Sequence, residues 1–86
     1  MWAVDMEVKV NLFAGLRDGA RVGEISLPWK QGITCNDILG ELKKRFLSMT
    51  SLLEHSYVAV NGSYAESGMT LMPEDEIAVM PPVSGG

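Results

Sequence analysis

Thr34-Cys35-Asn36-Asp37-Ile38-Leu39-Gly40-Glu41-Leu42-Lys43-Lys44-Arg45-Phe46-Leu47 reads as a helix, the element around which the rest of the chain is ordered. Ile38, Leu39, Leu42 and Phe46 fall on one stripe, while Glu41, Lys43, Lys44 and Arg45 lie mostly outside it. Thr34 stands where an N-cap is needed, and Asp37 follows three residues later. The pair forms a capping box with aspartate in place of the usual glutamate. The run Lys43-Lys44-Arg45 closes the helix, where cations are favoured by the helix dipole. That solvated helix end is a simpler reading of the run than a docking patch. Gly40 costs about 0.5–1 kcal/mol relative to alanine unless close packing requires it. The helix is predicted from Cys35 to about Leu47.

Strands are predicted on both sides of it. From Met6 to Phe13, Val8, Val10 and Leu12 alternate with Glu7, Lys9 and Asn11, a period of two. Gly15 to Gly19 is rich in turn formers and predicts a loop or wide turn. Val22 to Leu27 reads as a second strand, with Ile25 and Leu27 on one face and Pro28 at its end; the short link suggests a hairpin. Beyond the helix, Ser48 to Ser56 is ambiguous, with Leu52 and Leu53 suited to a helical turn over one end of the core. Tyr57 to Val60 reads as a third strand. Asn61-Gly62 is a strong hairpin signal because both residues tolerate positive φ. Ser63 to Glu66 is then a short partner strand, Pro73-Glu74-Asp75 a turn, and Glu76 to Met80 the last strand, with Ile77 and Val79 facing inward.

One helix packed on one face of a mixed sheet is a stable two-layer arrangement. The class is α+β, and this order of elements is that of the β-grasp, or ubiquitin-like, fold. In that fold the first and last strands are parallel neighbours. The domain is expected to span residues 1–80, followed by a flexible Gly-Gly tail at 81–86.

A chain of 86 residues has room for one modest core and no deep pocket of its own. Its formal net charge of −4 argues against nucleic acid as a partner, which needs a basic face. A single cysteine, Cys35, excludes an internal disulfide and a thiolate metal site. No stretch is apolar for long enough to span a membrane. Met1-Trp2-Ala3-Val4-Asp5 lacks the basic start and apolar run of a signal peptide. A cytoplasmic protein without a membrane partner is expected.

The last six residues are Pro81-Pro82-Val83-Ser84-Gly85-Gly86. Prolines favour a stiff, extended lead, and glycines fit a channel too narrow for any side chain. Six extended residues reach at most roughly 20 Å. The pattern is that of a carboxylate held out on an arm. At neutral pH this carboxylate is ionised and unreactive, so it must be activated before it can carry a group, most simply as an acyl adenylate.

A chain of this order with this ending resembles the small subunits of molybdopterin synthase, a family of sulfur carriers. Further agreement lies in Phe13-Ala14 with Leu16-Arg17-Asp18, in Ala59-Val60-Asn61-Gly62 and in Asp75-Glu76-Ile77-Ala78. The likeness runs from Met6 onward. Family members often have glutamate where Asp18 stands and a longer loop after it, and residues 1–5 are additional. The resemblance implies a reaction sequence. A partner adenylating enzyme uses ATP and Mg²⁺ to form an acyl adenylate on Gly86, and a sulfur donor converts it to a thiocarboxylate. The tail, with Gly85 and Gly86 at its tip, enters the large synthase subunit in a heterotetramer. There the sulfur attacks cyclic pyranopterin monophosphate, and two transfers build the dithiolene of molybdopterin. No cofactor or metal is bound by the chain itself.

Strand alternation adds a surface. With Val8, Val10 and Leu12 facing the helix, Phe13 points to the opposite face, as do Ala78 and Met80 on the last strand and Tyr57 on the third. Phe13 and Met80 then end neighbouring parallel strands where the tail begins. Phe13, Tyr57 and Met80, with Pro81, Pro82, Val83 and Ser84 of the tail, form the expected partner-binding set. Equivalent positions in the resembled family touch the partner enzymes.

The remaining residues have plainer readings. Cys35 at a helix start could relay a persulfide, but an inert, partly buried thiol suffices. His55 lacks a catalytic neighbour and reads as a surface histidine. Glu74-Asp75-Glu76 reads as a turn with a negative surface rather than a cation site. Met69, Met72 and Met80 suit packing, and Trp2 and Trp29 have no informative spacing. Three other functions fit the same fold. They are a thiamine-pathway sulfur carrier, whose tail usually lacks the Pro-Pro-Val-Ser lead, a ubiquitin-like modifier joined to lysines, and a plain interaction module.

Overall fold

Val8, Val10 and Leu12 are buried, and the residues between them are exposed or half-buried, so the two-residue period fixes which face of the first strand meets the core. The computed structural model describes residues 6–82. Its elements are β1 (Glu7–Leu12), α1 (Ala14–Ala20), β2 (Glu24–Pro28), α2 (Cys35–Arg45), a 3₁₀ turn (Leu47–Met49), α3 (Thr50–Glu54), β3 (Tyr57–Val60), β4 (Ser63–Tyr64) and β5 (Glu76–Met80). The sheet order is β2-β1-β5-β3-β4. β1 and β5 run parallel, with Lys9 beside Glu76 and Leu12 beside Val79; β2 and β3 lie antiparallel on either side. This is the β-grasp arrangement, and it brings the C-terminal ends of β1 and β5 together.

α2 crosses one face of the sheet. Ile38 and Leu42 are fully buried against Val10, Leu27, Ile77 and Val79, and Leu39 and Phe46 pack at the margin. The capping box is formed. Thr34 Oγ1 accepts from the Asp37 N–H at 3.2 Å, and the Asp37 carboxylate accepts from the Thr34 N–H at 2.9 Å. The other early N–H groups of the helix are satisfied from the loop before β5: Cys35 donates to the Met69 carbonyl and Asn36 to that of Ser67. The same loop is anchored by the Trp29 indole, which donates to the Leu71 carbonyl at 2.8 Å.

Four details differ from the sequence reading. Gly15 to Gly19 is not a loop but lies inside α1, where Leu16 is fully buried and pulls the turn onto the core. Gly19 permits the close approach: a Cβ there would land on Met49 Sδ. The link from β1 to β2 is therefore a helix rather than a hairpin turn. The second strand starts two residues later than expected, because Val22 is 43% exposed and only Gly23 enters the ladder, its carbonyl accepting from Leu12. α2 stops at Arg45, because Phe46 leaves the helical conformation (φ −127°, ψ 71°) with its side chain at the core margin, which leaves Leu47 76% exposed. β4 covers only Ser63 and Tyr64, although the Ala65 N–H still donates to the Val58 carbonyl. The ambiguous stretch after α2 resolves into the 3₁₀ turn and α3, which cap the core with Met49 and Leu53.

Asn61 and Gly62 both have positive φ, 52° and 85°, as the β3–β4 turn requires. Asn61 also closes the turn before β5. Its Nδ2 donates to Asp75 at 3.0 Å, and its Oδ1 accepts from the Glu76 N–H at 2.9 Å.

Candidate functional site: the root of the C-terminal tail

β5 ends at Met80, and Pro81 and Pro82 follow, both half-buried. Val83, Ser84, Gly85 and Gly86, the remaining tail residues expected to act, lie outside the described residues. The site that can be described is the surface from which they leave.

Three strands converge there. The Phe13 N–H donates to the Val79 carbonyl at 3.3 Å, one step beyond the β1–β5 ladder, so Phe13 stands next to Met80. Tyr57 lies opposite Met80 across the β3–β5 ladder. With Val8, Val10, Leu12, Val58, Val60, Ile77 and Val79 buried, the alternate residues are on the outer face of the sheet. Phe13 is 47% exposed and Tyr57 51%, while Met80 is half-buried. The structure thus brings together all three residues that strand alternation picked out.

Tyr64 was missed. It pairs with Ala59, which places it on this same face, 78% exposed and edge-on to Tyr57 with ring centroids 5.9 Å apart. The signal was present in the Asn61-Gly62 turn. A two-residue turn puts Val60 opposite Ser63 and hence Ala59 opposite Tyr64. Together Phe13, Met80, Tyr57 and Tyr64 make an apolar, aromatic band across the sheet, and Asn11, Ala59 and Ala78 floor a shallow groove beside it.

No group of acidic, histidine or cysteine side chains among the described residues could hold a metal ion. The apolar band can exclude water and fix an orientation. The Cys35 thiol is buried, and desolvation pushes its pKa above the ordinary value, against a lowering hydrogen bond to the backbone and with a small addition from the Asp75 charge. A thiol held protonated at neutral pH is a poor sulfur relay. Asp75 is taken up by the Met72 N–H and Asn61, so Glu74 and Asp75 belong to the turn before β5, and Glu76 opens the strand itself. His55 is exposed, with Nδ1 2.9 Å from the Ser51 carbonyl, and Lys44 and Arg45 are exposed at the end of α2. No helix among the described residues is long and apolar enough to cross a membrane.

Residues 10–86 match the model of the ThiS family. The molybdopterin synthase sulfur carrier subunit of Arabidopsis thaliana is 33% identical over 81 residues, covering 94% of this chain and 84% of the relative. Among solved structures, a protein described as molybdopterin converting factor subunit 1 from Pyrococcus furiosus superposes with a TM-score of 0.79 at 31% identity, covering 91% of this chain and 99% of that one. The small archaeal modifier protein 1 of Haloferax volcanii superposes equally well, with a TM-score of 0.79 at 27% identity and coverage of 91% and 99%.

Proposed function

This chain belongs to the ThiS family, and we propose that it is a sulfur carrier, the small subunit of a molybdopterin synthase. The observation that carries this reading is the aromatic and apolar band of Phe13, Met80 and Tyr57 at the point where the tail leaves the sheet. A carrier needs a handle that an enzyme can grip while it works on the terminus, and the band lies at the base of the terminus.

The chemistry proceeds in three steps. An adenylating enzyme joins the Gly86 carboxylate to the α-phosphate of ATP, releasing pyrophosphate, with Mg²⁺ neutralising the phosphates. A sulfur donor then displaces AMP and leaves a thiocarboxylate. In the synthase, the large subunit receives Pro81 to Gly86 and supplies the acid–base groups. The terminal sulfur attacks cyclic pyranopterin monophosphate, and hydrolysis returns the Gly86 carboxylate. Sulfur is the better nucleophile, and adenylation supplies the leaving group that a carboxylate lacks. Complementation tests this reading: cells lacking their own small subunit regain molybdenum-cofactor synthesis with the full chain and not with a chain lacking Gly86. Restoration by the truncated chain overturns it.

A second reading is favoured by the similarity to the archaeal modifier protein. The same activated Gly86 would then be joined to lysine side chains of other proteins, and conjugates dependent on Gly86 are its sign.

A further inference from the structure

Of the asparagines Asn11, Asn36 and Asn61, only Asn61 precedes a glycine. Asn61 and Gly62 are both exposed. Gly62 has no side chain to shield its backbone nitrogen, and, its chain neighbours aside, no atom lies within 4 Å of where its Cβ would be. That nitrogen can attack the side-chain carbonyl carbon of Asn61. A C–N bond forms, Nδ2 leaves as ammonia with the proton that the Gly62 nitrogen gives up, and a cyclic imide remains. Water then opens the imide. Opening at the side-chain carbonyl leaves aspartate; opening at the main-chain carbonyl leaves isoaspartate, in which the backbone runs through the side chain. Nothing is oxidised or reduced, and water is the one co-reactant.

Asn61 is also a latch. Its Nδ2 donates to Asp75 Oδ1 at 3.0 Å, its Oδ1 accepts from the Glu76 N–H at 2.9 Å, and its own N–H donates to the Glu76 carbonyl at 2.8 Å. The other oxygen of Asp75 accepts from the Met72 N–H at 2.8 Å. The β3–β4 turn is thus tied to the turn before β5 through one side-chain amide. Ring closure needs that amide released, so the folded chain reacts slowly, at a rate set by opening of the latch.

Both products undo the tie. Aspartate has no side-chain N–H to donate, so a second carboxylate oxygen stands where Nδ2 stood and is repelled by Asp75. Isoaspartate adds a carbon to the backbone of the two-residue turn, whose length sets Val60 opposite Ser63 and Ala59 opposite Tyr64. Tyr64 then loses its place against the Tyr57 ring. Asn61, Gly62 and Glu76 also line the groove beside Phe13 and Met80, so the change reaches the outer band.

We propose that Asn61 is a deamidation site, and that loss of its amide unlatches the two turns that hold the outer band of the sheet. Neither step depends on the sulfur-carrier reading; where that reading holds, an aged chain docks more weakly.

The test uses the chain alone. The full chain is aged in mildly alkaline buffer, folded and in guanidinium chloride, beside Asp75→Ala, which removes the partner of Nδ2. Peptide mass mapping and labelling by an isoaspartyl methyltransferase follow the change. The Asn61 peptide should gain the mass of an amide turned to a carboxyl and carry isoaspartate, with Asn11 and Asn36 intact. The reaction should run several-fold faster in Asp75→Ala and in denaturant. Asn61→Asp should melt at lower temperature than the natural chain and weaken the Tyr57–Tyr64 ring contact seen by NMR. The proposal is overturned if folded Asn61 stays intact after full conversion in denaturant. It is overturned if isoaspartate forms at Asp18 with Asn61 unchanged, or if Asp75→Ala reacts no faster. An Asn61→Asp chain with unaltered melting and an unaltered tyrosine contact also overturns it.

Discussion

Met80 stands opposite Tyr57 in the β3–β5 ladder, on the face of the sheet turned away from α2. The parallel pairing of β1 with β5 brings Phe13 to the other side of Met80. An apolar surface thereby forms at the base of the tail without any of these residues being spent on the core.

Phe13→Asp is expected to separate docking from folding. Phe13 is half-exposed, so the change should alter stability by no more than about 0.5 kcal/mol. Its effect on affinity for the tail-receiving enzyme should be about 2 kcal/mol or more, some thirtyfold. Calorimetric titration together with thermal unfolding measures both. An unfolded Phe13→Asp would place Phe13 in the core instead.

Tyr64→Ser should weaken the same complex and leave the fold intact. The residue is 78% exposed, and its ring meets that of Tyr57 edge to face. A loss smaller than that of Phe13→Asp is expected, because Tyr64 is farther from the tail. Unchanged affinity would confine the docking surface to the β1–β5–β3 strands.

Asn61→Gly keeps the positive φ at this position and deletes the two side-chain hydrogen bonds to Asp75 and Glu76. A stability loss of about 1–2 kcal/mol is expected from denaturant unfolding. Gly40→Ala, by contrast, enters open space and should add about 0.5–1 kcal/mol. Gly19→Ala gains the same helix propensity but strikes the buried Met49, and it should stabilise less than Gly40→Ala or destabilise.

Burial raises the Cys35 pKa above its ordinary value of 9.0, so the folded chain holds the proton more tightly than the unfolded one. Below that value both states are protonated and Cys35 contributes no slope. As pH rises above it, the unfolded state ionises first and stability falls. Cys35→Ala should remove this alkaline loss, at a uniform cost of about 1 kcal/mol. Unfolding curves from pH 7 to 10.5 for both chains measure it, and parallel curves would contradict it.

The strands were legible wherever one face is buried and the other wet, as in Val8-Lys9-Val10 and Ile77-Ala78-Val79, because a period of two is then a direct record of burial. The capping box at Thr34 and the Asn61-Gly62 turn were legible because each is local chemistry. α1 was hidden because two glycines outweigh one apolar residue in any local pattern, and only the distant contact of Gly19 with Met49 explains why a glycine belongs there. The end of α2 was misread for the same reason: Phe46 is drawn to the core, and no signal in the helix itself marks the break. Phe13, Tyr57 and Met80 followed from alternation, whereas Tyr64 depended on carrying the hairpin register through a two-residue strand. The sulfur chemistry itself could not be read from any pattern of periodicity or charge. It came from the likeness of the tail to a known family.

The most direct measurement is the intact mass of the chain after incubation with ATP, Mg²⁺, its adenylating enzyme and a sulfide source. One oxygen should be replaced by sulfur, and fragmentation should place the change on Gly86. An unchanged mass with an active adenylating enzyme, or sulfur found on Cys35 instead, would contradict the claim that the terminal glycine is the carrier.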